Sequence, residues 1–144
     1  MLFRSPLASK KNIEISLNVN SNNIYVSIPE NKISRILTNI IENAIKYNKE
    51  KGKIFIDVTE DDDRVNIKIK DTGIGIAQHE LDKIFMENYR SEACKDLNIK
   101  GSGLGLSIAK KFAENYGGSI NVTSKLGFGT EFTVSFPKMK LDAE

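Results

Sequence analysis

The sequence predicts an α+β fold, a two-layer sandwich in which helices cover one face of a mixed, mainly antiparallel sheet. Two patterns carry this prediction. Short segments alternate apolar and polar residues, as half-buried strands do, and longer segments repeat apolar residues every three or four positions, as amphipathic helices do. With 144 residues, 40% of them hydrophobic and 28% charged, the chain has the composition of one soluble globular domain with its own core.

We expect the first two predicted strands to pair as a hairpin. Residues 12–19 carry apolar side chains at alternate positions, and residues 24–28 follow an asparagine-rich run at 20–23. A short polar turn between two alternating segments favours antiparallel pairing of the two neighbours. Pro29 ends the second strand and suits the first turn of a helix.

Residues 31–48 are the clearest predicted helix, because their apolar residues fall on one face. These apolar residues are Ile33, Ile36, Leu37, Ile40, Ile41, Ala44 and Ile45. The later predicted elements are strands at 53–60 and 64–71 joined by an acidic link at 61–63, a short helix at 79–85, an irregular segment at 86–101, a helix at 103–116 that ends at Gly117 and Gly118, and strands at 119–124 and 131–137.

The composition excludes several classes of function. A net charge of +2 is too small to predict binding to nucleic acid or to a membrane surface. No apolar run approaches the roughly 20 residues that a membrane-spanning helix needs. The single cysteine, Cys94, excludes an internal disulfide and fits a reducing compartment, and the single histidine, His79, excludes a multi-histidine metal site.

A polar stripe borders the apolar face of the 31–48 helix. At about 100° per residue, Asn39, Asn43 and Lys46 fall within roughly 60° of one another, and Tyr47 lies just beyond. An asparagine oxygen can ligate a hard cation such as Mg²⁺, which keeps several waters and binds substrate phosphates. A solvated helix face in an asparagine-rich chain would show the same stripe, and the stripe alone does not separate the two interpretations.

The segment KDTGIGI, at 70–76, closes a predicted strand. Asp71 ends the strand, and Gly73 and Gly75 permit close approach of the backbone. An ionised aspartate only accepts hydrogen bonds, so it suits a ligand edge that donates them, such as the exocyclic amine of a base. Alone, the segment is more typical of an Asx-turn at the end of a strand.

Three glycines at alternate positions, Gly101, Gly103 and Gly105, lead directly into the last predicted helix. Free N–H groups and the helix dipole at such an N-terminus favour an anion, and the irregular segment before it could close over that anion as a lid. Arg90 and Lys100 could meet phosphates from that segment. The spacing matches neither the P-loop nor the dinucleotide fingerprint, and an entropic hinge with solvated loop charges remains an alternative.

Taken in order, these motifs resemble the catalytic and ATP-binding domain of sensor histidine kinases, in the wider group that includes gyrase-type ATPases, the Hsp90 chaperones and anti-sigma kinases. The resemblance extends from residue 12 to residue 137. It implies a Bergerat-type ATP-binding fold. The matching stretches are ILTNIIENAIKYN at 36–48, DTGIGI at 71–76, IFMENYR at 84–90, GSGLGLSIAKKF at 101–112 and GGSINVTSKLGFGTEFTVSFP at 117–137.

The resemblance implies ATP and Mg²⁺ as ligands and gives the matching residues roles. Asn43 would ligate the Mg²⁺, Asn39 would support the metal and the phosphates, and Lys46 would contact phosphate; these three form the implied catalytic set. The residues implied around the adenine are Asp71 as acceptor of its amine, Thr130 acting through water, Tyr47, Gly73, Gly75 and Ile76. Those implied around the phosphates are Gly101, Ser102, Gly103, Leu104, Gly105 and Leu106, with Arg90 and Lys100 acting from the lid.

Two features depart from the family pattern. Asn88 stands where the family has a second aromatic residue, which bears on how the lid packs. The dimerisation helices with the phosphoacceptor histidine are expected elsewhere in a longer kinase, so this domain alone should bind ATP without completing phosphotransfer.

Alternatives within the fold are an anti-sigma-type serine kinase and a gyrase-like ATPase, but both usually carry a glutamate as base where this chain has Asn39. A partner-binding module that retains the pocket as a relic is an alternative of another class.

The predicted organisation is a linker or remnant of a preceding segment at 1–11, the ATP-binding domain at 12–137 and a tail at 138–144. The implied partners are the histidine-bearing dimerisation domain of the same kinase and the receiver domain of a response regulator. Neither nucleic acid nor direct contact with a membrane is expected. The implied location is the cytoplasm, with a parent kinase that a membrane could anchor.

Overall fold

Alternating apolar residues build one sheet, and two amphipathic helices pack against it. The computed structural model describes residues 11–19, 24–87, 89 and 105–139. Its elements are β1 (Glu14–Val19), α1 (Glu30–Lys46), β2 (Lys53–Glu60), β3 (Arg64–Asp71), a short 3₁₀ helix (Gln78–Glu80), α2 (Gly105–Asn115), β4 (Ser119–Lys125) and β5 (Gly129–Pro137). Among the described residues, no helix is both long and apolar enough to cross a membrane.

The sheet has the strand order β1-β2-β3-β5-β4. β1 and β2 run parallel, whereas β2–β3, β3–β5 and β4–β5 are antiparallel. The mixed, mainly antiparallel sheet of the predicted two-layer sandwich is therefore confirmed. Strands β2 and β3 have the predicted bounds, and the acidic link between them is an Asx-turn in which Asp61 Oδ1 accepts hydrogen bonds from the N–H groups of Asp63 (2.9 Å) and Arg64 (2.7 Å).

The predicted hairpin between residues 12–19 and 24–28 is wrong. β1 pairs instead with β2, in a parallel register that sets Ile15 beside Ile54. Residues 24–28 contain no strand; Val26 makes an isolated antiparallel bridge to Lys138, just after β5. Alternation reports that one side of a segment is buried, but it carries no information about which strand is the partner.

The core lies between the inner face of the sheet and the apolar faces of the helices. Its fully buried side chains include Ile36, Ile40 and Ile45 from α1 and the sheet residues Ile54 and Val134. α1 also packs against α2, whose Ala109 and Ala113 are fully buried. The small alanine side chains allow the helices to approach closely, and both helices lie side by side on the sheet, α1 against β3 and α2 against β4.

The helix ends follow the sequence with small differences. Pro29 is the N-cap of α1, and α1 ends at Lys46 with Tyr47 as its C-cap, so the helix is slightly shorter than predicted. Gly117 follows α2 with a φ of +77°, which confirms the glycine C-cap. The predicted short helix at 79–85 is wrong in extent, because only the 3₁₀ turn at 78–80 forms and turns follow it.

We expect Ile40→Ala to lower the free energy of unfolding by about 2–5 kcal/mol, because it removes a fully buried side chain and leaves a cavity between α1 and the sheet. Arg35→Ala, at an exposed position of the same helix, is the matched control and should change stability by less than about 0.5 kcal/mol. Urea unfolding measures both. An equal loss for the two variants would contradict the placement of α1.

Candidate functional site

One end of the inner sheet face is polar rather than apolar. The inward alternation of β3 (Val65, Ile67, Ile69) ends at Asp71, and that of β5 (Phe136, Val134, Phe132) ends at Thr130. Thr130 pairs in turn with Ser124, the last inward position of β4. Because side chains alternate between the two faces of a strand, Asp71, Thr130 and Ser124 lie in one row at the same end of three adjacent strands.

Asp71 is a buried carboxylate of which one oxygen is fixed. The residue is 7% exposed, and its Oδ1 accepts hydrogen bonds from Gly73 N (2.8 Å) and Thr130 N (3.3 Å). Burial raises the pKa of Asp71 to about 6, although the two backbone hydrogen bonds act in the opposite direction. Oδ2 receives no hydrogen bond from any described residue. The backbone thus orients the carboxyl group and leaves its second oxygen able to accept a hydrogen bond from a ligand.

Ser124 organises the rest of this row, although it was not among the predicted site residues. Its Oγ accepts hydrogen bonds from Ile76 N (2.7 Å) and Thr130 Oγ1 (2.8 Å) and donates to Gly129 O (2.8 Å). It therefore positions two residues that were predicted for the base pocket, Ile76 and Thr130. The only signal for it was its place as the last inward residue of an alternating strand.

The glycines near Asp71 allow backbone to approach backbone. A Cβ on Gly73 would collide with the carbonyl oxygen of Tyr47, and one on Gly75, whose φ is +73°, would collide with that of Lys125. Gly129, with a φ of +131°, lies in the same way against the carbonyl of Asp71. Gly129 was also missed, although its place in GFGT between two predicted strands was a signal of a tight turn.

The end of α1 is joined to the segment after Asp71. Ile74 N donates a hydrogen bond to the carbonyl oxygen of Tyr47 (3.0 Å). This bond and the close approach of Gly73 fix the C-terminal turn of α1 beside the carboxylate. The same turn carries Lys46 and Tyr47, both half-buried, so the backbone brings two predicted site residues to the Asp71 end of the sheet.

The other end of the polar stripe meets the start of α2. Asn39 Nδ2 donates a hydrogen bond to the carbonyl oxygen of Gly105 (3.0 Å), the first residue of α2. Asn39 and Tyr47 are eight residues apart, which along a helix is about 12 Å. Asn43 and Lys46 lie between these contacts, half-buried, and neither side chain makes a hydrogen bond or an ion pair with a described residue. The site is therefore elongated, with a carboxylate at one end and a helix start at the other.

Aromatic residues hold the chain that follows the 3₁₀ helix. Phe85 meets Phe132 edge to face, with ring centroids 6.3 Å apart, and Lys110 Nζ lies 5.1 Å from the centre of the Phe85 ring. Tyr89 donates a hydrogen bond from its hydroxyl to Glu80 Oε1 (2.6 Å). These contacts hold both ends of the 84–89 stretch against the domain.

The other residues that the sequence analysis discussed are placed as follows. Gly105 and Leu106 are the first two described residues of α2, for which the predicted start was residue 103. His79 is exposed in the 3₁₀ helix, and the described residues contain no group of three or more histidine, cysteine or acidic side chains that could hold a metal ion. Outside the described residues lie Arg90, Lys100, Gly101, Ser102, Gly103, Leu104, Asn88 and Cys94.

Comparisons with known proteins show what this chain is similar to. The family model described as histidine kinase-, DNA gyrase B-, and HSP90-like ATPase matches residues 28–140. The sensor histidine kinase WalK of Bacillus subtilis (strain 168) is 37% identical over 139 residues, which cover 95% of this chain and 23% of WalK. The chain thus spans less than a quarter of that relative.

Two solved structures are similar to the chain as well. Full-length ShkA in complex with AMPPNP superposes with a TM-score of 0.81 at 31% identity, covering 96% of this chain and 28% of that chain. The histidine kinase ThkA, in complex with the response regulator protein TrrA, gives a TM-score of 0.74 at 26% identity, covering 92% of this chain and 36% of that chain.

We expect Gly75→Ala to destabilise the protein more than Gly127→Ala. Both glycines have positive φ, so alanine costs about 1–2 kcal/mol of conformational energy at either position. A Cβ at 127 meets open space, whereas one at 75 collides with the carbonyl of Lys125, which adds about 1–3 kcal/mol of overpacking. Urea unfolding of both variants measures the difference. Equal losses would show that the Gly75 loop does not pack on the β4–β5 turn.

We expect the stability of the wild type relative to Asp71→Asn to fall as the pH rises from about 4 to about 6. The folded state keeps its proton up to a pKa of about 6, whereas the unfolded state loses it near 3.8, so folding becomes less favourable across that window. Two pKa units correspond to about 3 kcal/mol.

The matched control for this experiment is Asp61→Asn. Backbone hydrogen bonds from Asp63 and Arg64 lower the pKa of Asp61, so its contribution is lost as the pH falls and the slope has the opposite sign. Unfolding by urea at a series of pH values measures both differences. A pH-independent difference for Asp71→Asn would contradict the buried carboxylate.

Proposed function

This chain belongs to the family of histidine kinase-, DNA gyrase B- and HSP90-like ATPases, and we propose that it is the ATP-binding catalytic domain of a two-component sensor histidine kinase. The observation that carries the proposal is the Asp71 carboxylate, buried and fixed through Oδ1, with Oδ2 open to a donor. An adenine amine is such a donor. The likeness to the AMPPNP complex of ShkA supports a nucleotide as the ligand.

In this proposal, the adenine lies at the Asp71 end and the phosphates lie towards α2. Asp71 accepts the amine, Thr130 assists through water, and Tyr47 and Ile76 flank the base. Gly73 and Gly75 shape the pocket by bringing the α1 end and the β4–β5 turn close to it. The phosphates meet the start of α2, with Gly105, Leu106 and the 101–104 backbone as N–H donors and Arg90 and Lys100 as cations.

Mg²⁺ is proposed to bind between these ends, on Asn43. The amide of Asn43 is half-buried and makes no hydrogen bond with a described residue, so its oxygen is available to a hard cation. Asn39 already donates to Gly105 O, which leaves its own oxygen to support the metal or its waters. When bound, the metal neutralises charge on the phosphates. Lys46, one turn beyond Asn43, supplies a further positive charge to them.

The proposed reaction transfers the terminal phosphoryl group of ATP to a histidine nitrogen on a dimerisation domain, and ADP leaves. Phosphoryl transfer of this kind depends mainly on positioning and charge neutralisation. An amide at position 39 cannot act as a general base, and a neutral imidazole needs none because it is already a nucleophile. This favours the histidine kinase over the serine kinase and gyrase-like alternatives, as does the likeness to WalK.

We further propose that this domain spans 12–137 and works with two partners. One is the histidine-bearing dimerisation domain of the same kinase, and the other is the receiver domain of a response regulator, as in the complex of ThkA with TrrA. The proposed location is the cytoplasm, where ATP is supplied. The relic interpretation is weaker, because every proposed ligand position that the structure describes carries a competent residue.

We expect the domain to bind ADP and a non-hydrolysable ATP analogue, with a marked preference for adenine over guanine nucleotides. Asp71→Asn should weaken binding at least about tenfold, because the amide can turn a donor towards the adenine amine. Asn43→Ala should reduce the dependence on Mg²⁺, whereas Asn121→Ala, at an exposed position of β4, should change neither property. Calorimetric titration with and without Mg²⁺ measures all four proteins. Absence of binding by the folded wild type at millimolar nucleotide would refute the site and favour a partner-binding module.

A further inference from the structure

Lys11 lies before β1 and reaches the C-terminal end of α1. Its Nζ donates hydrogen bonds to the carbonyl oxygens of Ile45 (3.1 Å), Lys46 (2.6 Å) and Asn48 (3.3 Å). The last carbonyls of a helix have no partner within the helix, and the helix dipole makes that end negative. A single ammonium group therefore donates to three carbonyl oxygens and also places a positive charge at the negative end of the helix dipole.

The backbone of Lys11 is held in place as well. Its carbonyl oxygen accepts a hydrogen bond from Lys51 N (2.8 Å), and Glu14 N donates to Gly52 O (3.1 Å). Between them, Asn12 has a φ of +56°, in the left-handed region that asparagine tolerates better than most residues. This reversal turns the chain into β1 directly after Lys11, so the ammonium is presented from a fixed backbone rather than from a free end.

The turn that Lys11 holds is the one that borders Asp71. The carbonyl between those of Lys46 and Asn48, that of Tyr47, accepts a hydrogen bond from Ile74 N (3.0 Å). All four carbonyls of 45–48 thus meet a donor, three from Lys11 on one side and one from the Asp71 segment on the other. Gly73 packs so closely on the Tyr47 carbonyl that the turn cannot shift without moving this segment.

The side chain of Asn48 fixes the same turn to β2 and β3. Asn48 is 7% exposed; its Nδ2 donates to Lys53 O (3.1 Å), and its Oδ1 accepts from Thr72 Oγ1 (3.1 Å). Thr72 directly follows Asp71. Lys53 of β2 and Thr72, next to Asp71, are therefore both hydrogen-bonded to the helix end that Lys11 caps.

We propose that Lys11 is a positioning residue of the nucleotide site, which couples the chain that enters β1 to the turn carrying Lys46 and Tyr47 and, through Ile74, to the Asp71 segment. This inference rests on the proposed function for its ligand. Lys11 touches no part of that ligand; it holds the backbone from which the binding side chains project. Loss of the ammonium leaves the carbonyls of Lys46 and Asn48 without this donor, whereas that of Ile45 keeps the hydrogen bond from Asn48 N (3.2 Å), and it releases the turn on one side.

The first test needs no nucleotide and so is independent of the proposed function. Lys11→Met keeps an unbranched side chain that is one atom shorter and removes every donor, and Lys11→Arg restores a cation. Hydrogen exchange of the Ile74 amide, measured by NMR, should be about tenfold faster in Lys11→Met than in the wild type and should return towards the wild-type rate in Lys11→Arg.

The matched control is Lys138→Met, which breaks the ion pair of Lys138 Nζ with Glu60 Oε2 (3.3 Å) at the opposite end of the sheet. It removes the same charge from a partly buried lysine and should lower the melting temperature without accelerating exchange at Ile74. If Ile74 exchanges equally fast in Lys11→Met and Lys138→Met, the coupling is refuted. Should Lys11→Met fail to fold, Lys11→Gln, which keeps one donor group, takes its place with the same criteria.

The second test is calorimetric titration with ADP. Lys11→Met should bind ADP about fivefold to tenfold more weakly than the wild type, whereas Lys138→Met should stay within about twofold of it. Faster exchange at Ile74 with unchanged ADP affinity would refute the role in the site while leaving the helix cap in place. Absence of ADP binding by the wild type would refute the proposed function, and the exchange test would still decide whether Lys11 controls the turn.

Discussion

The burial of one carboxylate at the end of β3 is the constraint on which the rest of this site depends. Asp71 takes the inward position that an apolar residue would otherwise fill, and desolvation opposes its charge and raises its pKa. The fold offsets this with two backbone N–H groups, and each requires a particular chain path. Gly73 must turn back immediately after the strand, and Thr130, the second residue of β5, must lie directly beside Asp71. The glycines and the strand order follow from that requirement.

α1 converts this local arrangement into an elongated site. One of its ends is fixed against the Asp71 segment through the Tyr47 carbonyl, and its middle is fixed to the start of α2 through Asn39. Asn43 and Lys46 project from the stretch between these contacts. The helix is rigid and is packed into the core through Ile40 and its neighbours. The distance between the Asp71 end of the site and the end at α2 is therefore set by the helical rise of α1 and not by loops.

Much of this arrangement could be predicted from the sequence, and the failures have a common cause. Periodicity located α1, β2, β3, α2, β4 and β5, since each buries one face, and the order of motifs indicated the family. Periodicity could not assign the partner of β1, because the parallel pairing with β2 joins segments far apart in the chain. Ser124, Gly129 and Lys11 were missed for the same reason. Each contacts groups that are distant in the sequence; the GFGT pattern indicated a tight turn at Gly129, but it could not indicate the approach to Asp71.

The glycines at 73, 75 and 129 also affect how a complete mutational scan of this domain should be interpreted. Each is intolerant of a side chain because backbone carbonyls of the protein itself occupy the space. Substitutions there would score as harmful in any assay, including one that reports only abundance. The side chains of Asn43 and Lys46 are half-buried and make no hydrogen bond or ion pair with a described residue. A scan scored for both abundance and activity would therefore separate the two groups, and only positions where activity falls while abundance holds would outline the ligand.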